Sequence, residues 1–391
     1  MPRRAITVQV NPEVLRWARE SAGIDLAGIA KRLNTKQETV EAWEKGTKQP
    51  TLATLERLAV VLRRPLAAFF LPSPPVEAPI PTDFRTLPAE QALPLSAKTR
   101  IAIRRAQRLQ SLAAELLGEM GEAVEPIVGS ATIGDDAEDL ATVVRKELGV
   151  STRKQADWRD STEAFRAWRA VLEMRGVMVF QSSMPLEETR GLSLAEKSPP
   201  AIVINTQDAP NAKNFTLFHE YAHLLLHKGG LCLWREAQGA EGLPTERFCN
   251  HFAGAILLPK EALLSEDRIR RLRRPDEISD LDLDETAKKY KVSKQVVWRR
   301  MQIAGLISFT AYRGRMGQWE KDAKQLPKRK SFGRSSPARR CVESRGPRFA
   351  GIVLEAKSRD IITYKDVADF LSVRLRHLGR VESLLAGSKV P

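Results

Sequence analysis

Residues 215–227 read FTLFHEYAHLLLH, an apolar stretch that carries two histidines four positions apart with a glutamate beside the first. No other segment restricts the fold so tightly. Phe215, Leu217, Phe218, Leu224, Leu225 and Leu226 mark an interior helix. Such a helix tolerates His219, Glu220 and His223 only if something neutralises them. Positions four apart share one helix face, so both imidazoles can point at a single ion. Glu220 sits one step round, where it can take a proton from a water that the ion activates. With 5 histidines among 391 residues, H-E-x-x-H is an uncommon accident.

A catalytic zinc takes three protein ligands and keeps one position open. One known extension places a third His six residues after the second, but Gly229 stands there. His227 drifts off the face and reads as a helix-end residue. The next helical segment, Glu246-Arg-Phe-Cys-Asn250, puts Glu246 and Asn250 on one face. Glu246 would complete a His-His-Glu set, with Asn250 orienting a ligating imidazole from behind. Phe248, Phe252, Ala253 and Ile256 make this helix as apolar as the first, against a surface salt bridge for Glu246. The expected ion is Zn2+, one per chain, and Mn2+ or Fe2+ suits the same donors. Cys232, Cys249 and Cys341 form no C-x-x-C pair. A disulfide framework is therefore not expected, and Cys232 and Cys249 read as structural thiols.

The surrounding pattern predicts a mostly α chain with a small β-sheet, an α+β fold. Residues 1–71 hold five short helices, opened by Asn11-Pro12 as N-cap and first helical position. Residues 72–95, rich in proline, read as a linker. Residues 96–260 form the metal-binding core, with strands at 176–181, 191–194 and 201–205. Strands 191–194 and 201–205 are expected to offer an edge to an extended peptide. Residues 261–391 are helical and basic, with a second helix-turn-helix-like segment at 283–307, a mobile loop at 314–347 and a last pair of helices.

FTLFHEYAHLLLH followed by ERFCNHFAGAILLP strongly resembles the ImmA/IrrE metallo-endopeptidases, a gluzincin-like group that joins a helix-turn-helix to the peptidase. The resemblance implies zinc on His219, His223 and Glu246, and Glu220 as general base. Arg190 and Tyr221 are candidates for stabilising the oxyanion. The second helix ends Leu257-Leu258-Pro259, one residue shorter than the Leu-Leu-Met-Pro usual in the group. Asn11 to Phe70 resembles an Xre-type helix-turn-helix, with AWEKGTKQP as the turn after the recognition helix. That implies Thr35, Lys36, Gln37 and Thr39 at the major groove, and Arg32, Lys45 and Lys48 at phosphates. Leu26 stands where such domains usually carry a phosphate-contacting Gln, and Glu38, Glu41 and Glu44 temper the charge of the recognition helix.

Lys and Arg outnumber Asp and Glu by 63 to 48, a net charge of +15, which suits a nucleic-acid partner. An 18-residue apolar run and a secretory h-region are both absent, so the expectation is a cytoplasmic protein without membrane contact. The reading is a zinc endopeptidase fused to a DNA-binding domain. The resemblance implies a transcriptional repressor as substrate, whose cleavage controls stress, mobile-element or toxin–antitoxin genes. The alternative is a DNA-binding regulator whose metal site is sensory or structural. A homodimer is open in either case.

Overall fold

The computed structural model describes residues 6–75, 95–122, 129–227, 230–232, 244–272, 274, 278–325 and 335–387. Most of the expected linker and the centre of the basic run near 330 lie outside the described residues.

The N-terminal helices follow their local signals. In α1 (Pro12–Ala22), Asn11 accepts from the Glu13 N–H and Gly23 closes the helix in the left-handed region. Asp25 caps α2 (Leu26–Leu33), which ends at a left-handed Asn34. Then come α3 (Gln37–Glu44), α4 (Leu52–Leu62) with Thr51 as N-cap, and a 3-10 turn, Leu66–Phe70. Leu15, Ala18, Leu33, Val40, Trp43, Leu55, Leu58 and Phe69 form a core of their own.

The rest of the chain is arranged about one sheet. Helices α5 (Ala97–Glu119), α6 (Ala137–Glu147), α7 (Thr152–Asp157) and α8 (Ser161–Met174) lead to strands β1 (Met178–Ser182), β2 (Gly191–Leu194) and β3 (Ala201–Asn205). Next are α9 (Pro210–Leu225), β4 (Gly230–Cys232) and α10 (Pro244–Leu257). Two short helices follow, α11 (Lys260–Leu264) and α12 (Asp267–Arg270), then α13 (Asp280–Tyr290), α14 (Lys294–Ile303) and α15 (Phe309–Gln325). The described chain ends with α16 (Pro337–Arg345), α17 (Pro347–Ser358), α18 (Tyr364–Leu371) and α19 (Leu378–Ala386).

Strand order is β1-β3-β2-β4, with β1 parallel to β3 and the other pairs antiparallel. Side chains alternate across a strand, so each face needs its own cover. Val179, Ile202 and Ile204 pack with α6, α8, α9 and α10. Met178, Phe180, Leu192 and Val203 pack with α5 and α16 to α19. The fold is α+β, mostly helical around a small sheet.

Four expectations change. Strands β2 and β3 are interior, so the described edges are β1 and β4, a short strand that the spacing did not announce. The stretch 314–347 is largely helical where described: α15 runs to Gln325 and α16 starts at Pro337. Buried Trp319 on α15 donates to Asp280, and Ala338 and Cys341 of α16 enter the second core, which explains the order. The C-terminal helices share that core with α5, so packing crosses the boundary expected at 260. Residues 364–385 break at Ser372, which takes a left-handed conformation.

Candidate metal centre

Helix α9 lies close against β2, and Gly191 is the reason. A Cβ there would stand 2.6 Å from Thr216 Cγ2 and 3.2 Å from Glu220 Cγ, so a larger residue would push the helix off the sheet. On its other sides α9 packs against α8 and α10. His219, Glu220, His223 and Glu246 are each at most 5% exposed, so water does little to satisfy them.

The geometry converges. His219 Nε2 and His223 Nε2 are 3.1 Å apart. Glu246 reaches both, with Oε2 3.3 Å from His219 Nε2 and Oε1 3.1 Å from His223 Nε2. One ligand atom from each residue lies within 4.8 Å of the others. Asn250 Oδ1 is 3.0 Å from His219 Nδ1. With that oxygen accepting, Nδ1 carries the proton and Nε2 turns a lone pair toward the cluster. Burial opposes ionisation of Glu246, but hydrogen bonds from the two histidines when they are protonated outweigh it and hold the carboxyl far below its ordinary value.

Glu220 behaves in the opposite way. Among the described residues, neither of its buried carboxylate oxygens has a partner within hydrogen-bond geometry. Burial pushes it up to about 8, with Glu246 adding to the rise and His219 and Ser193 opposing it. A buried carboxyl left so bare is costly unless a further group belongs beside it. Two facing imidazole nitrogens, a carboxylate spanning both and a partnerless carboxyl alongside together fit a divalent cation and a water.

The two oxyanion candidates are otherwise engaged. Tyr221 faces Phe218 and Phe252 in the core, and burial pushes its hydroxyl up to about 12. Arg190 Nη1 donates to both Asp208 oxygens, at 2.8 and 2.9 Å. His227 is an exposed residue past the end of α9, and Cys249 is buried in the core. The side chain of Cys232 lies outside the described residues.

Behind Asn250 is an arrangement that no spacing announced. His251 Nε2 is 2.7 Å from Glu138 Oε1 on α6. Arg300, from α14 and 1% exposed, donates through both terminal nitrogens to Glu138 and through Nε to the Leu258 carbonyl at 2.8 Å. Burial raises the Glu138 pKa, but the hydrogen bonds from His251 and Arg300 prevail and hold it at about 2. The members lie on three helices, up to 162 positions apart, so no local pattern joins them.

In the N-terminal module Lys36 is the N-cap of α3, with Gln37 as its first helical residue. Lys36, Gln37, Lys45 and Lys48 are exposed, and Thr35 and Thr39 are half-buried. Gln37 donates to Glu41 at 3.1 Å, and Lys45 lies 3.6 Å from the same carboxylate. Glu44 turns inward, where Arg19 Nε and Nη2 hold it at 2.7 and 2.9 Å. The outer face of α3 is therefore less acidic than its composition.

Comparison with known families matches residues 172–302 to the IrrE N-terminal-like domain, a peptidase family, and residues 15–69 to a helix-turn-helix family. The first match spans all four strands and α9, α10, α13 and most of α14. No curated protein matches the chain. The chain joins a domain of the ImmA/IrrE peptidase family to an N-terminal Xre-type helix-turn-helix. Among the described residues, no helix is long and apolar enough to cross a membrane.

Proposed function

We propose that this chain is a zinc-dependent endopeptidase of the cytoplasm, with DNA binding assigned to its N-terminal module. The observation that carries the reading is the convergence of His219, His223 and Glu246 beside a buried Glu220 whose oxygens have no hydrogen-bond partner among the described residues. His219, His223 and Glu246 would hold the ion, and Asn250 would fix the His219 tautomer. A divalent ion in that set supplies Lewis acidity toward water and a peptide carbonyl. Glu220 accepts the proton of the attacking water and passes it to the leaving amine. Thr35, Lys36, Gln37 and Thr39 would meet base edges, with Lys45 and Lys48 at phosphates.

The substrate in this reading is a transcriptional repressor, and its cleavage would control stress, mobile-element or toxin–antitoxin genes. In the domain division, 1–71 is the DNA module, 72–95 the linker and 96–260 the peptidase core, with 261–391 adding helices to that core. Near-complete burial of the ligands favours one second reading, a DNA-binding regulator whose metal is sensory or structural.

Elemental analysis of the wild type and Glu246→Ala tests the site. About one zinc per chain in the wild type and a marked loss in the variant is expected. Glu220→Gln should keep the metal and lose cleavage of a cognate repressor by roughly 100- to 10,000-fold. Cutting by Glu220→Gln at the wild-type rate would sink the proposed mechanism. A metal-loaded wild type that cleaves no repressor, while its DNA binding depends on the metal, would favour the second reading.

A further inference from the structure

Helices α14 and α15 present an outer face that neither the metal centre nor the N-terminal module uses. Phe309 is 41% exposed, an unusual position for a large ring. Its centroid lies 6.3 Å from that of Tyr312, with the two rings 27° from parallel. A guanidinium lies over each ring, Arg299 Cζ 5.0 Å from the Tyr312 centroid and Arg313 Cζ 5.8 Å from the Phe309 centroid. Arg299 and Arg313 are exposed, and neither pairs with a carboxylate among the described residues.

The inner face of the same helices is different in kind. Trp298 is buried and donates to the Tyr312 carbonyl at 3.3 Å, which fastens α15 to α14. Lys294 pairs with Asp280 at 2.7 Å, and Arg315 donates to the Ile278 carbonyl at 2.7 Å. The cations that serve packing are matched, and the outer pair is not. Gly314 and Gly317 lie on α15 with nothing within 4 Å of a Cβ added at either. A helix-interior glycine costs about 1 kcal/mol relative to alanine. Nothing packed against these two explains that cost.

We infer that this face binds single-stranded nucleic acid, with a base stacked on Phe309 beside Tyr312 and phosphates held by Arg299 and Arg313. The exposed ring of Phe309 can take an unpaired base against its face, whereas a duplex keeps its base faces stacked inside. Charge complementarity to phosphate comes from two guanidinia without an acidic partner. An acidic peptide would meet the charge and leave the rings unused. The site is independent of the peptidase reading and of duplex recognition through α3.

The test is fluorescence anisotropy of a labelled oligothymidylate of about 20 nucleotides, titrated with the full chain. Phe309→Ala should weaken binding by about 5- to 100-fold with no change in Tm, because the ring is exposed. The double change Arg299→Glu and Arg313→Glu should abolish binding, and single Arg→Ala changes should reduce its salt dependence. Three results would overturn the inference: no binding by the wild type, the same affinity in all variants, or preferential loss of duplex binding. Displacement of the oligonucleotide by polyglutamate with Phe309→Ala unaffected would overturn it in favour of an acidic peptide.

Discussion

Helices α2 and α3 and helices α13 and α14 are built by the same local rule. In the first pair Asn34 takes φ 54°, its N–H returns to Ala30 and Lys31, and α3 begins three residues later. In the second Lys291 takes φ 59°, its N–H returns to Ala287 and Lys288, and α14 begins three residues later. Their surroundings differ. The leading end of α3 is exposed on a module with its own core. Helix α14 buries Val297, Trp298, Arg300 and Met301 in the core that also holds α9 and α10. The family matches divide the pairs the same way, one inside the helix-turn-helix match and the other inside the peptidase match. A two-helix turn is thus a local solution to chain reversal, and its use depends on which face remains uncovered.

If that contrast holds, α14 should be a structural strut. Arg300→Met removes a buried guanidinium and leaves Glu138 and the Leu258 carbonyl short of a donor. The expected loss is about 3–5 kcal/mol in urea unfolding. A loss below about 1 kcal/mol would break the comparison at its strongest point.

Acid unfolding offers a second test. Glu138 is held at about 2, below its ordinary 4.5. A depressed carboxyl stabilises the fold above the unfolded value, and that contribution disappears as pH falls from about 4.5 to 2. Allowing for partial exposure, it should be on the order of 2 kcal/mol. Measured against Glu138→Gln, the wild-type advantage should shrink through that window; an advantage independent of pH would remove the ion pair from the account.

Asn250→Ala is expected to weaken zinc binding by about 10- to 100-fold in a chelator competition, with the fold retained. The smallest effects on stability belong to α3. Lys36→Ala and Gln37→Ala should change unfolding by no more than about 0.5 kcal/mol. In a gel shift they should weaken operator duplex binding by about 1–3 kcal/mol. Gln295→Ala, at the corresponding exposed end of α14, should leave the duplex affinity unchanged; an equal loss there would make the two helix pairs alike in function.

Much of the candidate centre was legible in the sequence because its information is short-ranged. His219 and His223 share a face by helix geometry alone, as do Glu246 and Asn250, and the structure brings both faces together. The cap at Asn11 acts within two residues, so the start of α1 was readable too; the caps at Asp25 and Thr51 are equally local. Other features had no such signal. That β2 and β3 lie inside the sheet depends on pairing with β4 and β1, which sequence alternation does not specify. The inward turn of Glu44 depends on Arg19, 25 residues away, and the grip of Arg300 on Glu138 spans 162.

By itself, then, the sequence determined the N-terminal helices, the segments that carry the candidate ligands and the family to which they point, because each rests on contacts within a few turns of chain. Tertiary structure alone decided which strands are edges, which of two similar helix pairs is packed into the core of the sheet, and how α5 and the C-terminal helices close over one sheet face. Those outcomes depend on which distant surfaces bury each other, and burial is a property of the assembled fold.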